Sequence, residues 1–573
     1  MDITPFIDLK PAPRAIFDTL PERKTRARFM LPTPDGDWRS VTWGAYAKGI
    51  RNAALFLASS GLQSGECAAV FAPNSVEWIS AAMAIQAVGG VMVPVYPANT
   101  TSQAAYAVKH SDTKVLFVDT PALLQRVLEA WSDYAHVTHI VTISALDIGP
   151  IIEGMRSKGL PTPPVAEVER KLVSWARVQA LGAARDVEAP GEFERRLNAV
   201  SLEQVAQMLY TSGTSGNPKG VPLTHKNVGV NGRDWLQCNA PLLSETDVDV
   251  LWLPMSHIFG FGEACLGNTL GWTTYMSDPG SVLKHLPEVQ PTAFMSVPAV
   301  WEKLAMAAMP ETDPARRKAA LAKATGGKLR FCLSGGAGLK REVKEFLHAN
   351  GMLIIEGYGL TEASPTLTMN RPDAFRFDTV GKVFPSVQVK LAEDGEILAK
   401  GENVFSGYHK DAAATAEAFT EDGWLKTGDV GRFTDDGFLQ IIDRKKDILV
   451  TAGGKNVPPA NIELRFKDDP FIHTVVVYGD GQRYLVAAVW LHDAAVAAHL
   501  EKTGVANAEA KHALVQSRID VVNAQLASYE TIKKFIIIDE PLTVEGGLIT
   551  STLKIRRKEI NKRLGAQLEA LYS

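Results

Sequence analysis

The chain is poor in cysteine: Cys67, Cys238, Cys265 and Cys332 are the only four in 573 residues, with no C-x-x-C pair. That spacing excludes a disulfide scaffold or a zinc ribbon and fits a reducing compartment. Long apolar runs are also missing. The longest, Ala81 to Val95, is interrupted by Gln86, Gly89, Gly90 and Pro94 and is too short to span a bilayer. The opening MDITPFIDLKPAPR carries prolines and charges where a secretory leader needs an apolar core. A cytoplasmic protein is expected, with contact to a membrane surface left open. Neither sign of charge dominates, and a net charge of -4 gives no reason to expect a nucleic-acid partner. An apolar content of 46% is that of a soluble globular protein. A length of 573 residues calls for two or more domains. Oligomeric state is not legible.

What the sequence does have is a glycine- and hydroxyl-rich loop, Tyr210 to Gly220 (YTSGTSGNPKG), behind the apolar run VAQMLY. Gly213, Gly216 and Gly220 let backbone N–H groups crowd an anion. Thr211, Ser212, Thr214 and Ser215 add hydroxyls for phosphate oxygens or a hard cation, and Lys219 adds a fixed positive charge behind Pro218. A Walker A loop does not fit, because Gly220 stands where that loop needs Ser or Thr after its lysine. A dinucleotide fingerprint does not fit either, because Ser215 stands where it needs a glycine. The stretch resembles the signature of the adenylate-forming superfamily, which contains acyl-CoA synthetases, firefly luciferase and peptide-synthetase adenylation domains.

Further motifs of that superfamily follow in order. PMSHIFGFGE (Pro254 to Glu263) closes a strand-like run, and the resemblance makes His257 a neighbour of the substrate carboxylate; by itself a His beside two Phe is ordinary packing. SGGAG (Ser334 to Gly338) offers Gly335, Gly336 and Ala337 as a flat bed for a base. GYGLTEASP (Gly357 to Pro365) offers Gly357, Tyr358 and Gly359 beside the adenine, Thr361 for the α-phosphate and Glu362 for a divalent cation, with Thr214 as second metal candidate. In GWLKTGD the resemblance assigns Asp429 to the ribose hydroxyls, and in DRKKD it assigns Arg444 to the ribose and Lys446 to a hinge. Gly453 and Gly454 would let a narrow pantetheine arm pass. The tail GGLITSTLKIRRKEI carries Lys554 behind Ser551-Thr552-Leu553, a departure from the usual Ser-Gly that resembles long-chain fatty acyl-CoA synthetases.

Periodicity places these motifs. Residues 45–60, 76–88, 225–236 and 508–527 read as helices, and 66–71, 91–95, 115–119, 139–143 and 248–253 as strands. Residues 147–200 show no clear period. The alternation predicts an α/β fold of doubly wound parallel layers. The Gly-rich stretch 378–440 predicts a small β-barrel, and residues 445–573 a small, mobile α+β lid on an N-terminal domain of residues 1–444. The resemblance implies that ATP and Mg²⁺ activate a medium- or long-chain fatty acid as acyl-AMP, with Lys554, Lys219, Thr214, Glu362 and His257 as catalytic residues. Coenzyme A then takes the acyl group. Two alternatives stay open: delivery to a carrier protein, and a non-catalytic nucleotide- or acyl-binding relative. The basic residues of 310–330 read as a solvated helix face, with a surface for anionic lipid or for the CoA phosphates as the minor alternative.

Overall fold

The computed structural model describes every residue except 212–216, 468, 505–506, 545 and 551–553. Among the described residues, seven strands form one sheet in the order Leu172–Ser174, His139–Thr142, Val115–Val118, Cys67–Phe71, Val91–Pro94, Val205–Thr211 and Lys219–Thr224. Neighbours run parallel until the last two, which form an antiparallel hairpin. A second sheet has six parallel strands at its heart: Ala27–Pro32, Thr273–Met276, Val248–Leu251, Ala293–Ser296, Phe331–Ser334 and Ile354–Gly359. Antiparallel strands extend both of its edges. Short runs such as VLFV and FCLS are buried at every residue because helices cover both faces. The helix Val76–Ala87, capped by the Ser75 hydroxyl, is buried nearly all round. This is the doubly wound α/β arrangement that the alternation predicts.

Residues 147–200 are more regular than their sequence. They form four helices, Ile148–Ser157, Val165–Lys171, Trp175–Glu188 and Glu192–Ala199, and contribute the edge strand Leu172–Ser174. The third helix packs so closely on Trp43–Ser59 that a Cβ at Gly182 would lie 1.9 Å from the Asn52 carbonyl oxygen. Close backbone approach over small residues hides the periodicity that larger core residues display.

Where a small β-barrel is expected, Val387–Leu391, Glu396–Gly401, Leu425–Phe433 and Leu439–Arg444 form a four-stranded antiparallel meander. The C-terminal α+β unit is built on Ile472–Tyr478, Leu485–Leu491 and Ile532–Ile537. Alternate residues of these strands feed two cores. Val475, Val477 and Ala487 meet Val515 and Ile519 of the helix Ala508–Asn523, while Val476, Val486 and Ala488 meet Ile560 and Leu564 of Arg557–Glu569. Among the described residues no helix is long and apolar enough to cross a membrane.

One buried group makes the fold pH-sensitive. His225 opens the helix His225–Asn239 at 3% exposure, its Nε2 has no partner, and burial pushes its pKa down to about 4. The unfolded chain takes up a proton near 6.5 that the native state refuses until about 4, so stability is lost as pH falls between those values. From pH 6.5 to 5 the loss is about 2 kcal/mol. Urea unfolding of His225→Phe at both pH values should show a pH dependence smaller by that amount; an unchanged difference would refute the assignment.

Candidate active site

The candidate nucleotide residues gather at the carboxyl ends of the parallel strands Val248–Leu251, Phe331–Ser334 and Ile354–Gly359, facing the four-stranded meander. The last strand runs further than its apolar start suggests. Gly357, Tyr358 and Gly359 are extended and pair with Met369, Thr368 and Thr366, and a Cβ at Gly359 would lie 1.8 Å from the Pro365 carbonyl oxygen. The Tyr358 hydroxyl donates to Asp429 Oδ2 at 2.6 Å, and Arg444 Nε lies 3.0 Å from Asp429 Oδ1. Asp429 and Arg444 are direct partners across the antiparallel meander, which explains how residues fifteen apart in sequence meet. Burial and the Asp429 carboxylate push the Tyr358 phenol well above its ordinary pKa, so it stays a donor.

Gly335 is half-buried, and Gly336 and Ala337 are exposed beyond the strand Phe331–Ser334. The expectation that Gly335 is bare for a base needs amendment: a Cβ there would lie 2.9 Å from the Phe259 ring, so a side chain of the protein already uses the space. Gly336 adopts φ +84°, which a larger residue resists. Glu356, unremarked in the sequence, steadies this stretch. Its Oε1 accepts the Leu339 N–H at 2.7 Å, and its other oxygen is paired with buried Lys344. A charged residue ending an apolar strand was the available signal.

Ser212, Gly213, Thr214, Ser215 and Gly216 lie outside the described residues. The flanks are described: Thr211 ends one strand of the hairpin opposite Lys219, which begins the other. The Lys219 ammonium sits 4.8 Å from the centre of the Tyr408 ring, and the Tyr408 hydroxyl donates to Glu362 Oε1 at 2.8 Å. Tyr408 thus joins Lys219 to the candidate metal carboxylate. Sequence reasoning missed it, since a lone aromatic in a polar turn has no period. Thr361 and Glu362 share the single turn Thr361–Ala363, both half-buried.

His257 does not close the strand, which ends at Leu251. It caps the helix Ile258–Leu270, and its Nδ1 accepts the Phe259 N–H at 3.2 Å. Burial first, then the Lys554 charge, pushes its pKa down to about 4. The ring is therefore neutral at physiological pH, and with Nδ1 accepting, Nε2 carries the proton. Lys554 is exposed as a residue, yet its ammonium is pushed below the ordinary lysine range, by burial and then Arg444, with Asp429 pulling it back. Lys554, His257, Arg444 and Asp429 therefore share one neighbourhood. Gly453 and Gly454 do not join it. They are exposed in the turn of the hairpin Leu449–Val450 with Asn456–Val457, which hydrogen-bonds to the turn at Gly481 and Gln482. Lys446 is exposed just beyond Arg444.

The helix behind His257 is inverted. Its charged side chain, Glu263, is buried without a partner, whereas Phe259, Gly262, Cys265, Leu266 and Thr269 form the accessible face. Gly262 is exposed in mid-helix, and a Cβ there would meet nothing within 4 Å. Phe259 and Leu266 lean on one α/β core and Cys265 on the other, so this apolar face follows the seam between them. Of the aromatic residues beside His257, Phe259 belongs to this face. Phe261 turns inward against Trp78, and Ile258 packs on Leu209 and Phe405.

Comparison with known proteins places this geometry. A model of the AMP-binding enzyme family matches residues 18–409, and one of the AMP-binding enzyme C-terminal domain matches residues 446–573. The chain belongs to the AMP-binding enzyme family. This AMP-binding enzyme is 32% identical to the long-chain-fatty-acid–CoA ligase FadD15 of Mycobacterium bovis, over 94% of this chain and 93% of that protein. It is 28% identical to mouse long-chain-fatty-acid–CoA ligase ACSBG2, over 93% and 89%. Its fold is similar to the adenylation domain of a carboxylate reductase from Mycobacterium chelonae, with TM-score 0.80, 21% identity and coverage of 98% and 91%. It is also similar to the anthranilate CoA ligase AuaEII in complex with anthranoyl-AMP, with TM-score 0.74, 21% identity and both chains covered in full.

Proposed function

We propose that this AMP-binding enzyme is an AMP-forming acyl-CoA synthetase for medium- or long-chain fatty acids. The observation that supports the reading is that the Lys554 charge is felt by His257 and feels the Asp429–Arg444 pair in turn, while His257 caps the helix Ile258–Leu270 that carries the apolar face. In the first half-reaction a fatty carboxylate oxygen attacks the α-phosphorus of ATP and pyrophosphate leaves. In the second the CoA sulfur attacks the acyl carbonyl, its proton passes to solvent, and AMP leaves. Two anions must meet in the first step, so positive charge and N–H donors do the work. Lys554 neutralises charge between carboxylate and α-phosphate, and neutral His257 offers Nε2–H to the carboxylate. Lys219, Thr211 and the loop Ser212, Gly213, Thr214, Ser215 and Gly216 receive the departing phosphates. Gly335, Gly336, Ala337, Gly357, Tyr358 and Gly359 border the adenine, Thr361 the α-phosphate, and Asp429 with Arg444 the ribose.

The residues fit a divalent cation held mainly by substrate: Glu362 offers one carboxylate oxygen beyond its bond to Tyr408, and no larger cluster of ligands occurs among the described residues. Mg²⁺ held there with Thr214 would supply charge neutralisation on the phosphates. Glu362→Gln keeps the shape and removes the charge. Its adenylation rate should fall on the order of thirtyfold, the loss of one charge-assisted contact of about 2 kcal/mol. Wild-type rate and Mg²⁺ dependence would exclude Glu362 as a ligand.

The inverted helix supports the acyl class. Glycine in a helix interior costs about 1 kcal/mol relative to alanine, and nothing packed against Gly262 accounts for it. Space for a polymethylene chain does. At about 0.8 kcal/mol per buried methylene, blocking three of them should cost on the order of fiftyfold in kcat/KM. Gly262→Leu should show that loss on hexadecanoate and little change on octanoate; equal losses on both would remove this face from the acyl path. Incubation with ATP and fatty acids of graded length, with and without CoA, tests the whole reading. CoA-dependent thioester and AMP are expected. Acyl-AMP that CoA does not consume would favour a carrier-protein acceptor, and no AMP at all would favour a non-catalytic relative.

A further inference from the structure

The helix Pro314–Thr325, PARRKAALAKAT, holds Arg316, Arg317, Lys318 and Lys323 and no acid. Leu321 and Thr325 fix it inward. Arg317 is held by the Glu311 carbonyl and stands over the Phe346 ring, 5.9 Å from its centre. Arg316, Lys318 and Lys323 are exposed and enter no ion pair among the described residues, and Lys328 just beyond is the same. At 100° per residue, Lys318 lies on one side of exposed Ala315, Ala319 and Ala322, with Arg316 and Lys323 on the other.

Two neighbouring helices widen this face. Val282–Val289 and Pro298–Met306 pack on the basic helix, and they expose Leu283 at 38% and Met306 at 62%. Exposed Lys303 adds to the charge. The nearby acids are largely spoken for. Glu302 is paired with Lys467 at 2.7 Å, Glu288 lies 3.9 Å from Lys284, and Asp313 caps the basic helix through the Arg316 N–H at 2.9 Å. What remains, on three helices packed together, is two exposed apolar side chains and a set of unpaired cations on long, flexible stems. Such stems can lie along an apolar phase while their heads reach anionic headgroups.

We propose that this face, centred on Met306, Arg316, Lys318 and Lys323, docks the protein on an anionic lipid bilayer. The docking rests on charge and exposed apolar surface alone. Its use, bringing the enzyme to a phase in which long-chain acids dissolve, rests on the fatty-acid reading above.

Sedimentation with vesicles tests it. The wild-type chain should sediment with phosphatidylcholine–phosphatidylglycerol vesicles at low salt, far less with phosphatidylcholine alone, and be released by high salt. The triple variant Arg316→Ala, Lys318→Ala, Lys323→Ala should lose about a hundredfold in partition coefficient. Met306→Asp should lower it as well. AMP release by the triple variant with detergent-dispersed fatty acid should equal wild type, which separates lost docking from lost folding. Vesicle binding is read without turnover, so failure of the fatty-acid reading leaves this result interpretable. Indifference to lipid charge, or a triple variant that sediments like wild type, overturns the proposal, whether or not the face captures an acidic protein instead.

Discussion

Lys554→Ala should slow adenylation on the order of a hundredfold or more and leave thioester formation from supplied acyl-AMP nearly intact. Lys554 stands near enough to His257 to lower the imidazole pKa, and near enough to Arg444 and Asp429 to feel both charges. Its ammonium is partly desolvated, which strengthens any interaction with an anion brought beside it. In the first half-reaction charge develops between carboxylate and α-phosphate; in the second it develops on the acyl carbonyl as a thiol attacks. On the function proposed above, a lysine close enough to feel Asp429 serves the first. Removing one preorganised donor to developing charge costs about 3 kcal/mol, on the order of a hundredfold or more in rate. Pyrophosphate release would report the first half-reaction and thioester formation from synthetic acyl-AMP the second. Lys554→Arg keeps charge and should recover part of the first. Equal losses in both half-reactions would show a structural role only.

Much of this site is legible in sequence because its chemistry lies in local motifs. Glycines, hydroxyls and a lysine within eleven residues suggest an anion loop without any fold, although residues 212–216 lie outside the described residues. Parallel strands are equally legible, since burial on both faces makes them continuous apolar runs. What the sequence hides depends on distant partners. Tyr408 matters because Lys219 and Glu362 reach it, and Glu356 because Lys344 and the Leu339 N–H do. The inward turn of Phe261 and the outward turn of Gly262 follow from a helix buried on one side and open on the other, which a pattern of apolar residues cannot distinguish. Helix 175–188 fails to announce itself for a related reason: its packing depends on the absence of a side chain at Gly182.

The two half-reactions set a problem that the arrangement around Lys446 can solve. Lys554 feels the charges of Arg444 and Asp429, while Gly453 and Gly454 lie exposed on a separate hairpin of the C-terminal unit. A thiol on a pantetheine arm needs a narrow path, and the glycine turn can line one only if the unit rotates. The chain is anchored up to Lys445, whose ammonium pairs with Asp394 and Glu396 and whose N–H donates to the Gly428 carbonyl. Beyond it, Asp447 and Ile448 donate back to Arg444, and Arg557 reaches Glu463 at 2.7 Å within the C-terminal unit. Lys446 stands between these anchorages, and its own N–H donates to no backbone carbonyl among the described residues. We propose it as the pivot between two bodies, one ending at Lys445 and the other beginning beyond Lys446. Proline there removes no backbone bond in this state and restricts the torsion that rotation must change. Lys446→Pro should therefore form acyl-AMP at near the wild-type rate and transfer it to CoA on the order of a hundredfold more slowly, the scale of a reacting group held out of place. Lys446→Ala leaves φ free and should transfer normally. Single-turnover measurement of each step decides the matter: unimpaired transfer by the proline variant would move the pivot elsewhere, and slow transfer by both variants would assign the side chain rather than the backbone.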